Sequence, residues 1–128
     1  MKRTRVSSGA PWEPKLGYCR AIRVGQQIFV SGTISIDSEG AIVGPGDPYE
    51  QTRHVLRIIA HAIEELGGSL EDVVRTRIYL ANFRDLDEVG RAHREVFGEF
   101  PPANTVIEVA RLIDQAMRVE IEADAILD

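Results

Sequence analysis

The apolar positions of this chain follow two periods, and the places where one gives way to the other mark its elements. From Tyr18 to Ile36, "YCRAIRVGQQIFVSGTISI" is rich in β-branched residues, the composition of strands. Gly25-Gln26 splits it into two arms and predicts a tight hairpin. Ile28-Phe29-Val30 is continuously apolar, which predicts a central strand. That arm closes at Ser31-Gly32, and "DSEG" (Asp37 to Gly40) predicts a second turn. The period then changes. Val55, Ile59, Ala62, Ile63 and Leu66 recur at helical spacing, after Asp47, Pro48 and Glu50 in the places of an N-cap, a first helical residue and a capping-box acid. Gly67-Gly68 is a left-handed stop.

A capped turn, "SLED" (Ser69 to Asp72), leads into "VVRTRIYLAN", a strand by composition. A second helix is predicted from Asp85, with Glu88 completing its capping box and a stripe of Leu86, Val89, His93, Val96 and Phe97; "FPP" ends it. Two strands follow, Thr105 to Leu112 and Met117 to Leu127. The latter sets Met117, Val119, Ile121, Ala123 and Ala125 on one face and Arg118, Glu120, Glu122 and Asp124 on the other. Residues 1–16 show no period and are expected to form an irregular N-terminal arm.

The order is hairpin, helix, strand, helix, two strands. It predicts an α+β sandwich in one domain, residues 1–128, with two helices packed on one face of a mostly antiparallel sheet. Two helices cover only one side of such a sheet. The other face is expected to meet a second copy of the chain in a closed homo-oligomer.

Composition narrows the classes of function. No apolar run approaches the roughly 20 residues of a membrane span, and no apolar signal core follows the basic start, so a cytoplasmic protein is expected. Cys19 is the only cysteine, which fits a reducing compartment. A net charge of −5 argues against a dedicated nucleic-acid binder. His54 and His61 stand about two turns apart on one helix and cannot share an ion. No zinc spacing and no phosphate-binding glycine motif is present, so neither a metal nor a cofactor is expected. "GPGD" (Gly44 to Asp47) reads as a turn into a capped helix rather than an anion site. His93, inside an apolar stripe, reads more readily as a half-buried structural histidine than as a proton carrier. Cys19 reads as packing. Glu120, in a row of acids, reads from its surroundings alone as part of a solvated face.

Several stretches together resemble the RidA/YjgF family, known for hydrolysing reactive enamines and imines. They are "GYCRAI", "IFVSGTIS", "LEDVVRTRIYL", "DLDEV", "FPPANTVIEVARL" and "VEIEADAIL", in family order from Gly17 onward. The resemblance implies a chorismate-mutase-like fold, a homotrimer and small-molecule clefts between subunits. It places Tyr18, Ser31 and Gly32 in the cleft and gives Glu120 the handling of water. His93 aligns with a frequent asparagine. Asn104 stands where the main branch has an arginine, in "PARS" or "PART", and Val106 where many members have a cysteine. An arginine there clamps a substrate carboxylate. Its replacement by a neutral amide weakens carboxylate binding by roughly one to two orders of magnitude.

The expected function is therefore cofactor-free hydrolysis of an imine, enamine or related activated C–N bond, outside the standard 2-imino acids. Glu120 and Ser31 are the catalytic candidates. Tyr18, Gly32, His93, Asn104, Thr105 and Val106 are the candidates for substrate binding. The rival is a non-catalytic small-molecule-binding or interaction module on the same trimer. Endoribonuclease activity, attached to some relatives, ranks third, because the chain is acidic and lacks a basic–aromatic patch.

Overall fold

The computed structural model describes residues 1–128. Six strands form one sheet: β1 (Arg3–Val6), β2 (Ala21–Val24), β3 (Gln27–Thr33), β4 (Val73–Leu80), β5 (Ala103–Glu108) and β6 (Val119–Ile126). Their spatial order is β1-β2-β3-β6-β4-β5. All neighbours pair antiparallel except β4 and β5, which run parallel. Three helices accompany the sheet: α1 (Trp12–Leu16), α2 (Pro48–Glu65) and α3 (Leu86–Phe97).

α2 starts as its sequence predicts. The Asp47 carboxylate accepts from the Glu50 backbone N–H at 3.0 Å, and Pro48 occupies the first helical position. The chain leaves through Gly67, whose φ of 93° suits a residue without Cβ. The apolar stripe of α2 buries Val55, Leu56, Ile59, Ala62 and Ile63 against β3 and β6. α3 adds Val89 and Phe97 to the same core. The sheet contributes Ile28, Val30, Ile78, Leu80, Val119 and Ile121. Truncating a fully buried member such as Ile121 to alanine costs about 2–5 kcal/mol.

The opposite sheet face carries no helix. Phe29, Val74 and Ile107 are exposed there, each more than 40% accessible. Phe29 therefore departs from the run Ile28-Phe29-Val30. Its neighbours point into the core while it points outward, because strand side chains alternate. Pairing with Ile22 across the hairpin keeps the exposed ring on a partly apolar surface.

Three expectations are corrected. Residues 1–16 are not an irregular arm: β1 pairs in register with β2, from Arg3↔Val24 to Val6↔Ala21, and Trp12–Leu16 forms a helical turn, so there are three helices rather than two. A four-residue strand carries too little period to be read from its own sequence; its partner strand makes it. Asp85 does not cap α3 with its side chain. Its buried carboxylate instead takes two bonds from the Arg118 guanidinium, 2.9 and 2.8 Å, a bidentate pair stronger than a capping bond. The strand expected from Thr105 to Leu112 spans Ala103–Glu108. It continues β4 in parallel from Arg75↔Ala103 to Leu80↔Glu108 and stops where β4 stops.

Candidate functional site

A bulge creates the first feature of the site. β3 and β6 change register between Val30 and Thr33, so Ser31 and Gly32 step out of the ladder. Ser31 Oγ donates to the Cys19 carbonyl at 2.8 Å. The Gly32 carbonyl accepts from Arg20 Nη1 at 2.6 Å. Directly over Gly32 lies the Glu120 carboxylate, filling the space that a Cβ at residue 32 would need. A side chain at 32 would push this carboxylate away. Tyr18 borders the spot, exposed, with the Arg20 guanidinium 5.6 Å from its ring centroid.

Glu120 is unlike the other acids of its strand. Arg77 Nη1 lies 3.2 Å from Asp124 and 3.5 Å from Glu122, and the Tyr79 hydroxyl donates to Glu122 at 2.8 Å. Glu120 is half-buried and makes no hydrogen bond or ion pair within the chain. Burial pushes its carboxyl above the usual carboxylate range; the Arg20 charge opposes this and the Glu122 charge adds to it. The reading as a solvated acid fits Glu122 and Asp124 better than Glu120.

Arg20 and Glu13 organise this spot from behind, and the sequence reading assigned them no such role. Both are 3% exposed. Arg20 Nε lies 3.3 Å from Glu13 Oε2, and Nη1 reaches the Gly32 carbonyl and Thr33 Oγ1. Burial would raise the Glu13 pKa, but the hydroxyls of Ser8 and Ser7, the Ser8 N–H and the Arg20 charge together hold it below the ordinary value. The signal was an arginine between apolar neighbours, Cys19 and Ala21, in a strand arm.

The remaining candidates lie elsewhere. Asn104, opposite Thr76 in the β4–β5 ladder, donates from Nδ2 to Thr76 Oγ1 at 2.9 Å. Thr76 is fully buried, and its Oγ1 is 2.9 Å from His93 Nε2. The three side chains form a line on the helix-covered face. Burial lowers the His93 pKa, and its ring lies 4.7 Å from that of Phe97. Val106 packs partly buried against the core. Thr105 is exposed on the next position of the strand, one pleat away from Asn104.

One chain therefore holds two sets on opposite faces of its sheet. Tyr18, Ser31, Gly32 and Glu120 form one; His93, Asn104 and Val106 form the other. The fold does not bring the two sets together within a chain. Neither Glu120 nor His93 lines the groove of about 470 Å³ between α2 and the first strands.

The chain is an α+β sandwich with one bare sheet face and a partnerless carboxylate over a bulged glycine. The family described as Endoribonuclease L-PSP matches residues 9–127, and the chain belongs to this YjgF/RidA family. It is 32% identical over 120 residues to the 3-aminoacrylate deaminase RutC of Acinetobacter baylyi, covering 94% of each. It resembles Rv2704 of Mycobacterium tuberculosis, a member of the YjgF/YER057c/UK114 family, at 42% identity and a TM-score of 0.90, covering 98% of this chain and 100% of that one. Escherichia coli YjgF superimposes with a TM-score of 0.82 at 29% identity, covering 96% of this chain and 97% of that one. No helix is long and apolar enough to cross a membrane.

Proposed function

We propose that this protein is a cytoplasmic homotrimer that hydrolyses imines, enamines or related activated C–N bonds at clefts between subunits. The observation that carries the reading is Glu120, a half-buried carboxylate with a raised pKa and no partner of its own. A carboxylate whose proton affinity is raised is a better general base toward water. It takes a proton from water as the oxygen attacks the C=N carbon, and the nitrogen gains a proton. The tetrahedral carbinolamine then expels ammonia and leaves a carbonyl product. Ser31 Oγ keeps lone pairs to orient the substrate, Gly32 leaves room for the Glu120 carboxylate, and Tyr18 walls the site. Acid–base help of this kind contributes about 10²–10⁴-fold, which suits a substrate that is already reactive. The deaminase relative supports the reaction class.

The separation of the two residue sets supports the trimer. A cleft containing both must draw Glu120 from one chain and Asn104 with His93 from its neighbour. Asn104 offers no cation, and its Nδ2 is engaged with Thr76. Its Oδ1 has no partner and presents an acceptor. The preferred substrate therefore carries a neutral or N–H-bearing group where the main branch binds a carboxylate.

The same engagement of Asn104 favours a second reading, a binding module without turnover. Incubation with generated imines, with and without a carboxylate, distinguishes the two. Carbonyl and ammonia release above the spontaneous rate, lost in Glu120→Ala, supports hydrolysis. Saturable binding without release supports the module. Endoribonuclease activity has the family description behind it; cleavage of RNA by the pure chain, with no imine turnover, would establish it.

A further inference from the structure

We infer a second small-molecule site, in the groove between α2 and the first strands, for a small carboxylate with a compact apolar body. The groove encloses about 470 Å³, a volume within the usual range of ligand pockets. It shares Arg20 with the Glu120 spot, where that arginine bonds the Gly32 carbonyl from behind, and is lined by none of Tyr18, Ser31, Gly32 and Glu120. Ile34 and Ile58, both half-buried, contribute apolar surface to its wall. Covering such surface with ligand carbon contributes about 25 cal/mol per Å².

The charged side chains around this surface decide the sign of the ligand. Each of the two lining carboxylates has one oxygen engaged within the chain. Asp37 Oδ1 accepts from the backbone N–H groups of Glu39 and Ala41, each at 2.9 Å. Glu65 Oε1 lies 2.7 Å from His61 Nε2. The arginines are not fully used. Arg57 has no hydrogen bond and no ion pair within the chain. Arg20, 3% exposed, spends Nε on Ser8 and Glu13 and Nη1 on Gly32 and Thr33, while Nη2 has no partner. His54 Nε2 is 2.8 Å from the Ile36 carbonyl, so it donates there. The unspent charged donors of the groove are thus guanidinium groups beside aliphatic side chains, while Asp37 and Glu65 each keep a second oxygen free. Guanidinium groups match a carboxylate in fork geometry, and the isoleucines match an apolar body rather than a bare inorganic anion.

The test is titration of the full chain with cyclohexanecarboxylate, followed by calorimetry and by amide and imidazole shifts in NMR spectra. The expected result is one site per chain, with the largest shifts at Ile34, His54 and Arg57. Arg57→Gln weakens binding roughly tenfold or more, the effect of losing a charge-assisted hydrogen bond. Arg57 is exposed, so the variant keeps the wild-type circular dichroism. Cyclohexylmethanol, with the same ring and no charge, binds more weakly by a similar factor. The proposal is overturned by no binding at millimolar ligand, by equal binding to Arg57→Gln, or by shifts confined to the surroundings of Glu120. Equal affinity for the alcohol overturns the carboxylate, and equal affinity for inorganic phosphate overturns the apolar body. A failed imine assay leaves these results untouched, since no residue of the proposed hydrolysis is varied.

Discussion

The carboxylate of Glu120 occupies the space a side chain at Gly32 would need. Gly32 is not in the left-handed region, so its small size, not its backbone freedom, is what the site uses. Gly32→Ala is expected to displace Glu120 and lower any Glu120-dependent turnover. In a Glu120→Ala background the same substitution no longer meets that carboxylate. Urea unfolding of the four proteins in this cycle should give a coupling of about 0.5–3 kcal/mol. Strict additivity would show that the two residues do not compete for space.

Glu120 also predicts a pH dependence of stability. Its pKa is raised on folding, so the folded chain holds the proton more tightly than the unfolded one. Its contribution is fully present below the unfolded pKa and is lost as pH rises through the folded pKa. Glu120→Gln removes that loss. The variant should melt higher than wild type near neutrality, and the gap should close toward pH about 4, near the ordinary glutamate value. Thermal melts at both pH values check this, and a gap that widens in acid contradicts it.

His93 has the opposite sign. Its pKa is lowered by burial, so its contribution is present above the unfolded value and lost as pH falls through the folded value. NMR titration should find the His93 ring neutral to below the ordinary histidine pKa. His93→Gln should flatten the fall in stability on the acid side. An ordinary titration midpoint for His93 would mean that its contact with Thr76 opens to water.

Asp85 and Arg118 tie the start of α3 to the start of β6 through two bonds of 2.8 and 2.9 Å. Asp85→Ala leaves Arg118 with no carboxylate partner in a mostly buried position. A loss of about 3 kcal/mol is expected, the low end for breaking a buried pair, because the Arg118 side chain keeps 19% exposure. Chemical denaturation measures it. A loss below 1 kcal/mol, the range of surface pairs, would mean that water replaces the pair.

The bare sheet face predicts association. Phe29, Val74 and Ile107 present apolar surface there. Light scattering should give three chains per particle for wild type. Phe29→Asp places a charge on that surface and should shift the population toward monomer. A wild type that stays monomeric at micromolar concentration removes the trimer and its clefts together.

The fold was legible wherever a local signal and a tertiary demand pointed the same way. The Asp47-Pro48-Glu50 start of α2 is a local signal, and the buried stripe behind it confirms the same helix. Asp85 shows the limit. Its spacing to Glu88 describes a cap, but Arg118, 33 residues away along the chain, offers two charge-assisted bonds. Distant partners are invisible to spacing. Residues 3–6 fail for a related reason, since β1 exists only because β2 pairs with it. In the site, the resemblance named Glu120 and Gly32 for one cleft, and the structure sets the Glu120 carboxylate over Gly32. The resemblance could not show that Asn104 turns toward Thr76 and His93, because that direction depends on a buried threonine with no motif of its own.

The two residue sets on opposite faces of the sheet have a genetic consequence. In an assembly whose clefts take one set from each neighbour, a chain defective in Glu120 still offers an intact Asn104 side. Its partner, defective in His93, still offers an intact Glu120 side. Two silent alleles of these kinds, expressed in one cell, rebuild some working clefts, whereas two alleles damaged on the same face do not. In such an assembly the sheet would sort loss-of-function alleles into two complementation groups within a single gene, divided by the face on which each residue lies.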